Sequence, residues 1–410
     1  MELKSMKKYS NGRQVTEHFV ALYGKKNFAQ LARYDKLICK FKRKFKSNYC
    51  YLASSSGRVE LVGNHTDHNG GKVVGCTVDL DIVAAFLPNE TNRVVVCGNN
   101  YKDIVINLAD IETIEGGSTG MVKGVLVALK NSGYKIGGFT ALLNSTVPSG
   151  AGLSSSAAFQ LLIGAIINAL YNNGEIPAQT LAYAGQYAEN VYFNKPCGLL
   201  DQGVIAVGGV VGIDFYSGFS KTKLGTDLLG VKLVVVDTGK SHSGLTEHYA
   251  AIPREMKAVA QFFNKQRLID LDETEFFNNF DALKQQVGER AALRAKHFFE
   301  ENHRVEQFSN ALLTGNKQSL LDAVCASGNS SIYQLQNCAV DGDETLKDAV
   351  LFARNICPSC ASRVHGGGFQ GTILVLLDDD VSKFHAEMAK RYGKNKVHVL
   401  RVRAVGATVL

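Results

Sequence analysis

Residues 139–171 constrain the fold more than any other stretch. An apolar, strand-like run (139–147) meets Pro148-Ser-Gly-Ala-Gly-Leu-Ser-Ser-Ser-Ala-Ala158, and an apolar helical pattern then runs to Tyr171. Gly150 and Gly152 remove side chains where backbone must curl tightly. The free N–H groups and positive dipole end at the start of the following helix point back at the loop, which suits an anion. The hydroxyls of Ser154, Ser155 and Ser156 suit phosphate oxygens or a magnesium ion. No Gly-Lys-Ser/Thr closes the loop, so it is not a Walker motif. A glycine turn with serine caps is the plainer reading, but three serines in a row exceed what one cap uses.

A second loop, Gly57-Arg-Val-Glu-Leu-Val-Gly-Asn-His-Thr-Asp-His-Asn-Gly-Gly71, crowds Asn64, His65, Asp67, His68 and Asn69 behind a short strand. Such a density of donors and acceptors suits a polyhydroxyl ligand. An Asx-rich turn would look similar, and a His-x-x-His metal site lacks a third ligand. Asp201, in Gly198-Leu-Leu-Asp-Gln202, offers a carboxylate just before a strand-like run at 204–215.

The remaining patterns predict helices near 27–46, 154–171, 178–191, 254–266, 283–302 and 345–355, and strands at 58–62, 73–86, 231–237, 372–377 and 397–403. These elements do not alternate regularly, so an α+β chain of two lobes, 1–215 and 216–410, is expected. The chain's 410 residues suit two cores.

The net charge of +7 is concentrated at the start, where residues 1–46 hold 13 Lys and Arg against 3 Asp and Glu. The body is therefore no basic nucleic-acid binder. Phe28, Leu31, Tyr34, Ile38, Phe41 and Phe45 recur at helical spacing, predicting a helix docked by its apolar face with its basic side in water. No signal-like or membrane-length apolar run is expected, and nine scattered cysteines suit a reducing cytoplasm. Cys357 and Cys360 lack the second pair a zinc site would need and read as inert thiols.

Taken together, these stretches resemble the galactokinase branch of the GHMP small-molecule kinases. Residues 57–71 are similar to its sugar signature, and 148–158 to its phosphate loop. Cys197–Gln202 resembles its catalytic aspartate segment, and Arg363-Val-His-Gly-Gly-Gly-Phe-Gln-Gly371 its C-terminal glycine motif. The resemblance implies an N-terminal lobe with a left-handed βαβ unit (ribosomal S5 domain 2-like), a C-terminal ferredoxin-like lobe and a site in the cleft. It implies ATP and Mg²⁺, with the phosphates on Pro148, Gly150, Gly152, Leu153, Ser154, Ser155 and Ser156. It makes Asp201 the acceptor of the sugar's anomeric proton, Arg58 its partner, Ser156 and Glu189 the magnesium ligands, and Asn64, His65, Asp67, Gly198 and Tyr249 the sugar contacts. The expected partners are a monosaccharide and ATP, with no nucleic acid or membrane, as a monomer or dimer.

Four departures matter. Asn64 stands where galactokinases carry a glutamate, and Asp67-His68 replaces Asp-Tyr, as in galacturonate kinases. Galacturonate is therefore the alternative to galactose; galactose is preferred because Asn still accepts from a hydroxyl and the loop holds no new cation for a carboxylate. No tryptophan is present upstream of Val122-Lys123-Gly124 to stack on adenine, which leaves ATP against GTP open. The double arginine usual after the Tyr249 position is missing. A non-catalytic sugar sensor is a further alternative, but the Ser155-Ser-Ala-Ala158 run is intact.

Overall fold

A computed structural model describes residues 6–24, 27–98, 102–148, 150–194, 197–239 and 245–410. The larger of its two sheets begins with β1 (Tyr51–Val62) and β2 (Lys72–Pro88), paired antiparallel along most of their length. β3 (Arg93–Gly98), β4 (Ile104–Asn107) and β5 (Phe139–Ser145) follow. β3 and β5 run parallel, and the connection between them carries the helix Gly117–Asn131. β6 (Val210–Asp214) pairs with the first half of β2, and β7 (Ser220–Gly225) with β6.

The second sheet is antiparallel throughout. It holds β8 (Lys232–Asp237), β9 (Ala361–His365), β10 (Thr372–Leu377) and β11 (Val397–Leu400), in the order β11-β8-β10-β9. Val234, Val236, Ile373 and Val375 turn one face onto the helices Thr345–Ile356 and Val381–Tyr392. Their neighbours Leu233, Val235, Leu374 and Leu376 join the core of the first sheet, as the two-residue period of a strand requires. The two-lobed α+β fold is thus as expected.

The larger sheet extends past the expected boundary at 215/216. Strand β7 closes a hairpin with β6, and the tail returns to place β12 (Thr408–Val409) beside β1. Arg403 anchors that return: fully buried, it lies 3.3 Å from Asp81, which also pairs with Arg33 of the N-terminal helix at 2.6 Å.

That helix, Phe28–Phe45, buries Tyr34, Leu37, Ile38 and Phe41, as the pattern predicts, but Phe28 is 83% exposed. Phe28 is its first residue. Cys357 and Cys360 are both buried, and burial pushes the Cys360 thiol up out of the reactive range. No described helix is long and apolar enough to cross a membrane.

One element differs in kind from its prediction. Residues 200–207 form a helix, Leu200–Val207, and only Val210–Asp214 is strand. Val204, Ile205 and Val207 favour strand locally, but the Asp67 carboxyl packs against Gly198 just before the helix start, with the amides of Leu199 and Leu200 near enough to favour its charged form. Gly208 (φ 77°) ends the helix where a Cβ would meet the Gly406 amide at 2.1 Å.

Candidate active site

The two loops meet at β1. A bulge between Ser56 and Arg58 breaks the β1–β2 register, and a Cβ on Gly57 would lie 2.8 Å from the Leu153 carbonyl. Glycine therefore lets the phosphate-type loop rest directly on the strand, where the Arg58 amide donates to Leu153 at 3.2 Å. Leu153 contributes backbone only, because its side chain is buried in the core. Ser154 caps the helix Ser155–Tyr171 in a left-handed conformation (φ 55°), a strained state for a residue with a Cβ. Pro148 is half-buried and Gly150 exposed; Ser149 of the same motif lies outside the described residues.

Arg58 is the joint of the site. Its Nε and Nη2 donate to Asp201 Oδ1 at 2.7 and 2.6 Å, and its Nη1 to the Gly152 carbonyl at 2.6 Å. The other Asp201 oxygen accepts from the Ser154 hydroxyl. Arg58 is almost wholly buried, whereas the Asp201 side chain keeps 34% exposure. The guanidinium thus fixes a carboxylate that still faces open space, directly over the glycine–serine turn.

Ser156 and Glu189 also come together. The Ser156 hydroxyl lies 3.4 Å from Glu189 Oε1, and Gln160 donates to Glu189 Oε2. Glu189 stands on a π-helical turn, Ala188–Tyr192, that ends the helix Ala178–Tyr187; such turns often mark functional sites. Among the described residues there is no group of three or more His, Cys, Asp or Glu able to hold a metal. A hydroxyl and a carboxylate do suit Mg²⁺, which prefers hard oxygen donors and completes its shell with phosphate and water.

The sugar-type loop sits on the other side of Asp201. A Cβ on Gly198 would overlap Asp67 Oδ2, 1.6 Å away, so glycine is required there. Burial raises the Asp67 carboxyl pKa, against the amide bonds from His68, Leu200 and Leu199. His65 has its Nε2 3.0 Å from the Gly367 carbonyl, so that nitrogen carries the proton and donates; burial lowers its pKa and keeps the ring neutral. Tyr249 donates to Gly368 O at 3.0 Å.

Asn64 behaves otherwise than expected of a free acceptor. It is 1% exposed, and every polar atom of its side chain is already bonded within the protein.

Residues that the sequence reading missed hold this loop from behind. Glu301, on the helix Glu289–Thr314, accepts from the Gly63 amide at 2.8 Å and the Ser327 hydroxyl at 2.6 Å and pairs with Arg304 at 2.6 Å. His297, on the same helix, lies 2.8 Å from the Asn64 carbonyl. The signal was available: Glu301 falls at helical spacing from buried Phe298, Val305 and Phe308, a face where a lone carboxylate needs partners.

Residues 39–88 match the galactokinase galactose-binding signature, and residues 120–209 the GHMP kinases N terminal domain. A galactokinase of Clostridium tetani is 29% identical over 348 residues, 83% of this chain and 87% of the relative. One of Lactococcus lactis subsp. cremoris is 29% identical over 354 residues, covering 82% and 86%. The crystal structure of Lactococcus lactis galactokinase complexed with galactose superimposes with a TM-score of 0.79 at 25% identity, over 97% of this chain and 99% of that one. The Methanococcus jannaschii mevalonate kinase shares the fold at a TM-score of 0.61 and 17% identity, over 86% and 98%. Both sequence signatures, the relatives and the shared fold agree: the chain is similar, over most of its length, to the galactokinase branch of the GHMP kinases.

Proposed function

We propose that this chain transfers the γ-phosphoryl group of ATP to the anomeric hydroxyl of galactose. The observation that carries the reading is the Arg58 clamp, which ties the Asp201 carboxylate to the carbonyl of Gly152 in the glycine–serine turn. A carboxylate so placed can orient the acceptor hydroxyl and take its proton beside the phosphates. Arg58 offsets negative charge that builds during transfer. Phosphoryl transfer asks little more of a protein than such positioning and charge neutralisation. The loop amides and serine hydroxyls would cradle the nucleotide phosphates. Ser156 and Glu189 would hold Mg²⁺, which supplies charge neutralisation to the phosphates. His65, Asp67 and Tyr249 would present donors and acceptors to the sugar. Nine unpaired cysteines suit a cytoplasmic enzyme.

Galactose is favoured over galacturonate because the Lactococcus lactis relative was solved with galactose and the full-length relatives are galactokinases. ADP release measured over a panel of sugars, galacturonate included, tests the reading. Galactose is expected to give the highest kcat/KM; a preference for the uronate would overturn the assignment.

The magnesium assignment is checked separately. In Glu189→Gln the magnesium concentration for half-maximal activity is expected to rise at least about tenfold. An unchanged requirement would move the metal elsewhere.

A further inference from the structure

The side chain of Asn64 can adopt one amide orientation only. Its Nδ2 donates to both Glu60 oxygens, at 3.0 and 3.2 Å, and to the Gly366 carbonyl at 2.8 Å. Its Oδ1 accepts from Asn337 Nδ2 at 2.8 Å. Reversing the amide would set an oxygen against three acceptors and a nitrogen against a donor, so the network fixes the assignment. Glu60 is 4% exposed and Asn337 fully buried. Both Nδ2 hydrogens are taken, so no donor remains for a sugar carboxylate, and the second lone pair of Oδ1 sits on a side chain that is 1% exposed.

The same knot reaches the glycine strip of the second lobe. Gly366, Gly367 and Gly368 offer successive carbonyls to Asn64, His65 and Tyr249. Asn337 also donates to the Gly367 carbonyl at 3.1 Å. Side chains are excluded from the strip's last two positions: a Cβ on Gly367 would lie 2.6 Å from the Tyr249 ring, and one on Gly368 2.4 Å from the Asn337 carbonyl. The amide of Glu60 itself donates to His365, just ahead of the strip, at 3.2 Å.

We propose that Asn64 is a positioning residue, not a sugar contact: Glu60 and Asn337 lock it so that it seats the sugar loop on the glycine strip, and its identity answers to Glu60 rather than to the substituent at C6 of the sugar. Glu60 leaves no room for a second carboxylate at 64, because two buried anions at hydrogen-bond distance repel. An amide at 64 is what such a neighbour demands. This inference rests on the galactose-kinase reading for its kinetic part, but its structural part stands apart from it.

The test is a double-mutant cycle of Glu60→Gln and Asn64→Asp, read by the unfolding midpoint and by KM for galactose and for ATP. An aspartate at 64 also opposes the Gly366 carbonyl, a cost common to both backgrounds that cancels in the cycle. Asn64→Asp is expected to raise KM for galactose at least about tenfold more with Glu60 present than in the Glu60→Gln background, leaving KM for ATP within about twofold. The double variant keeps the local charge and moves only its place. Its ratio of kcat/KM for galactose over galacturonate is therefore expected to stay within about threefold of the wild type. Equal effects of Asn64→Asp in both backgrounds, on the midpoint as on KM, would refute the coupling. A tenfold change in the sugar ratio would show that position 64 reads C6. Should the wild type phosphorylate no sugar, the functional reading fails, while the unfolding midpoints still decide whether Glu60 and Asn64 are coupled.

Discussion

Asp201→Asn is expected to lower kcat at least about 100-fold, the lower end for a lost proton-transfer group, while KM for galactose changes only a few-fold. The substitution is nearly isosteric. An asparagine oxygen in place of Oδ1 still accepts from Arg58 Nε and Nη2, and the new amide nitrogen can donate to the Ser154 hydroxyl where Oδ2 now accepts from it. The geometry of the clamp therefore survives, and the lost quantity is the negative charge and basicity facing the acceptor. Arg58→Lys makes the complementary change. One ammonium cannot reproduce a fork that reaches Asp201 and Gly152 together, so kcat should fall there with the carboxylate still present. Steady-state kinetics on variants with wild-type unfolding midpoints separate these cases. Undiminished turnover in Asp201→Asn would mean that the carboxylate neither takes the proton nor orients the hydroxyl, and the proposed chemistry would have to be abandoned.

What could be read from the sequence was what local chemistry dictates. The glycine–serine loop announces itself because tight backbone curvature and helix-start hydroxyls leave few residue choices. The crowded polar loop after β1 is legible for the same reason. The meeting of Arg58 with Asp201, 143 positions apart, came only through resemblance. Residues 204–207, the last turn of the helix Leu200–Val207, read as strand because their β-branched residues were judged alone. The Asp67 carboxyl that packs at the helix start lies more than a hundred positions earlier, and no local signal carries that. Asn64 was read as a free acceptor because composition lists what a side chain can do, not what it is already doing. Glu60 and Gly366 take both its amide hydrogens, and Asn337 donates to its oxygen. The boundary at 215/216 was drawn where a polar stretch looks like a linker; within that stretch Ser220–Gly225 is an edge strand of the larger sheet.

Acid titration should expose the buried support behind the sugar loop. Burial alone would push the Glu301 carboxyl up, but Arg304, His297 and Arg363 together pull it down to about 2, from 4.5. A folded-state value below the unfolded one gives stability that is fully present above about pH 4.5 and is lost as the pH falls toward 2. The shift corresponds to something on the order of 3 kcal/mol. Glu301→Ala at neutral pH should cost about 3–5 kcal/mol, because it strands the Arg304 charge and leaves the Gly63 amide without its acceptor. Glu301→Gln keeps an acceptor for that amide and removes only the charge. Urea unfolding midpoints of wild type and Glu301→Gln should therefore be well separated at pH 7 and converge as the pH approaches 2. His297, which burial depresses to about 4 from 6.5, adds a fall in stability below pH 6.5 to both proteins. Parallel curves down to pH 2 would mean that Glu301 is not ionised in the folded state, and the ion pair could not then be what holds Gly63 and Asn64 in place.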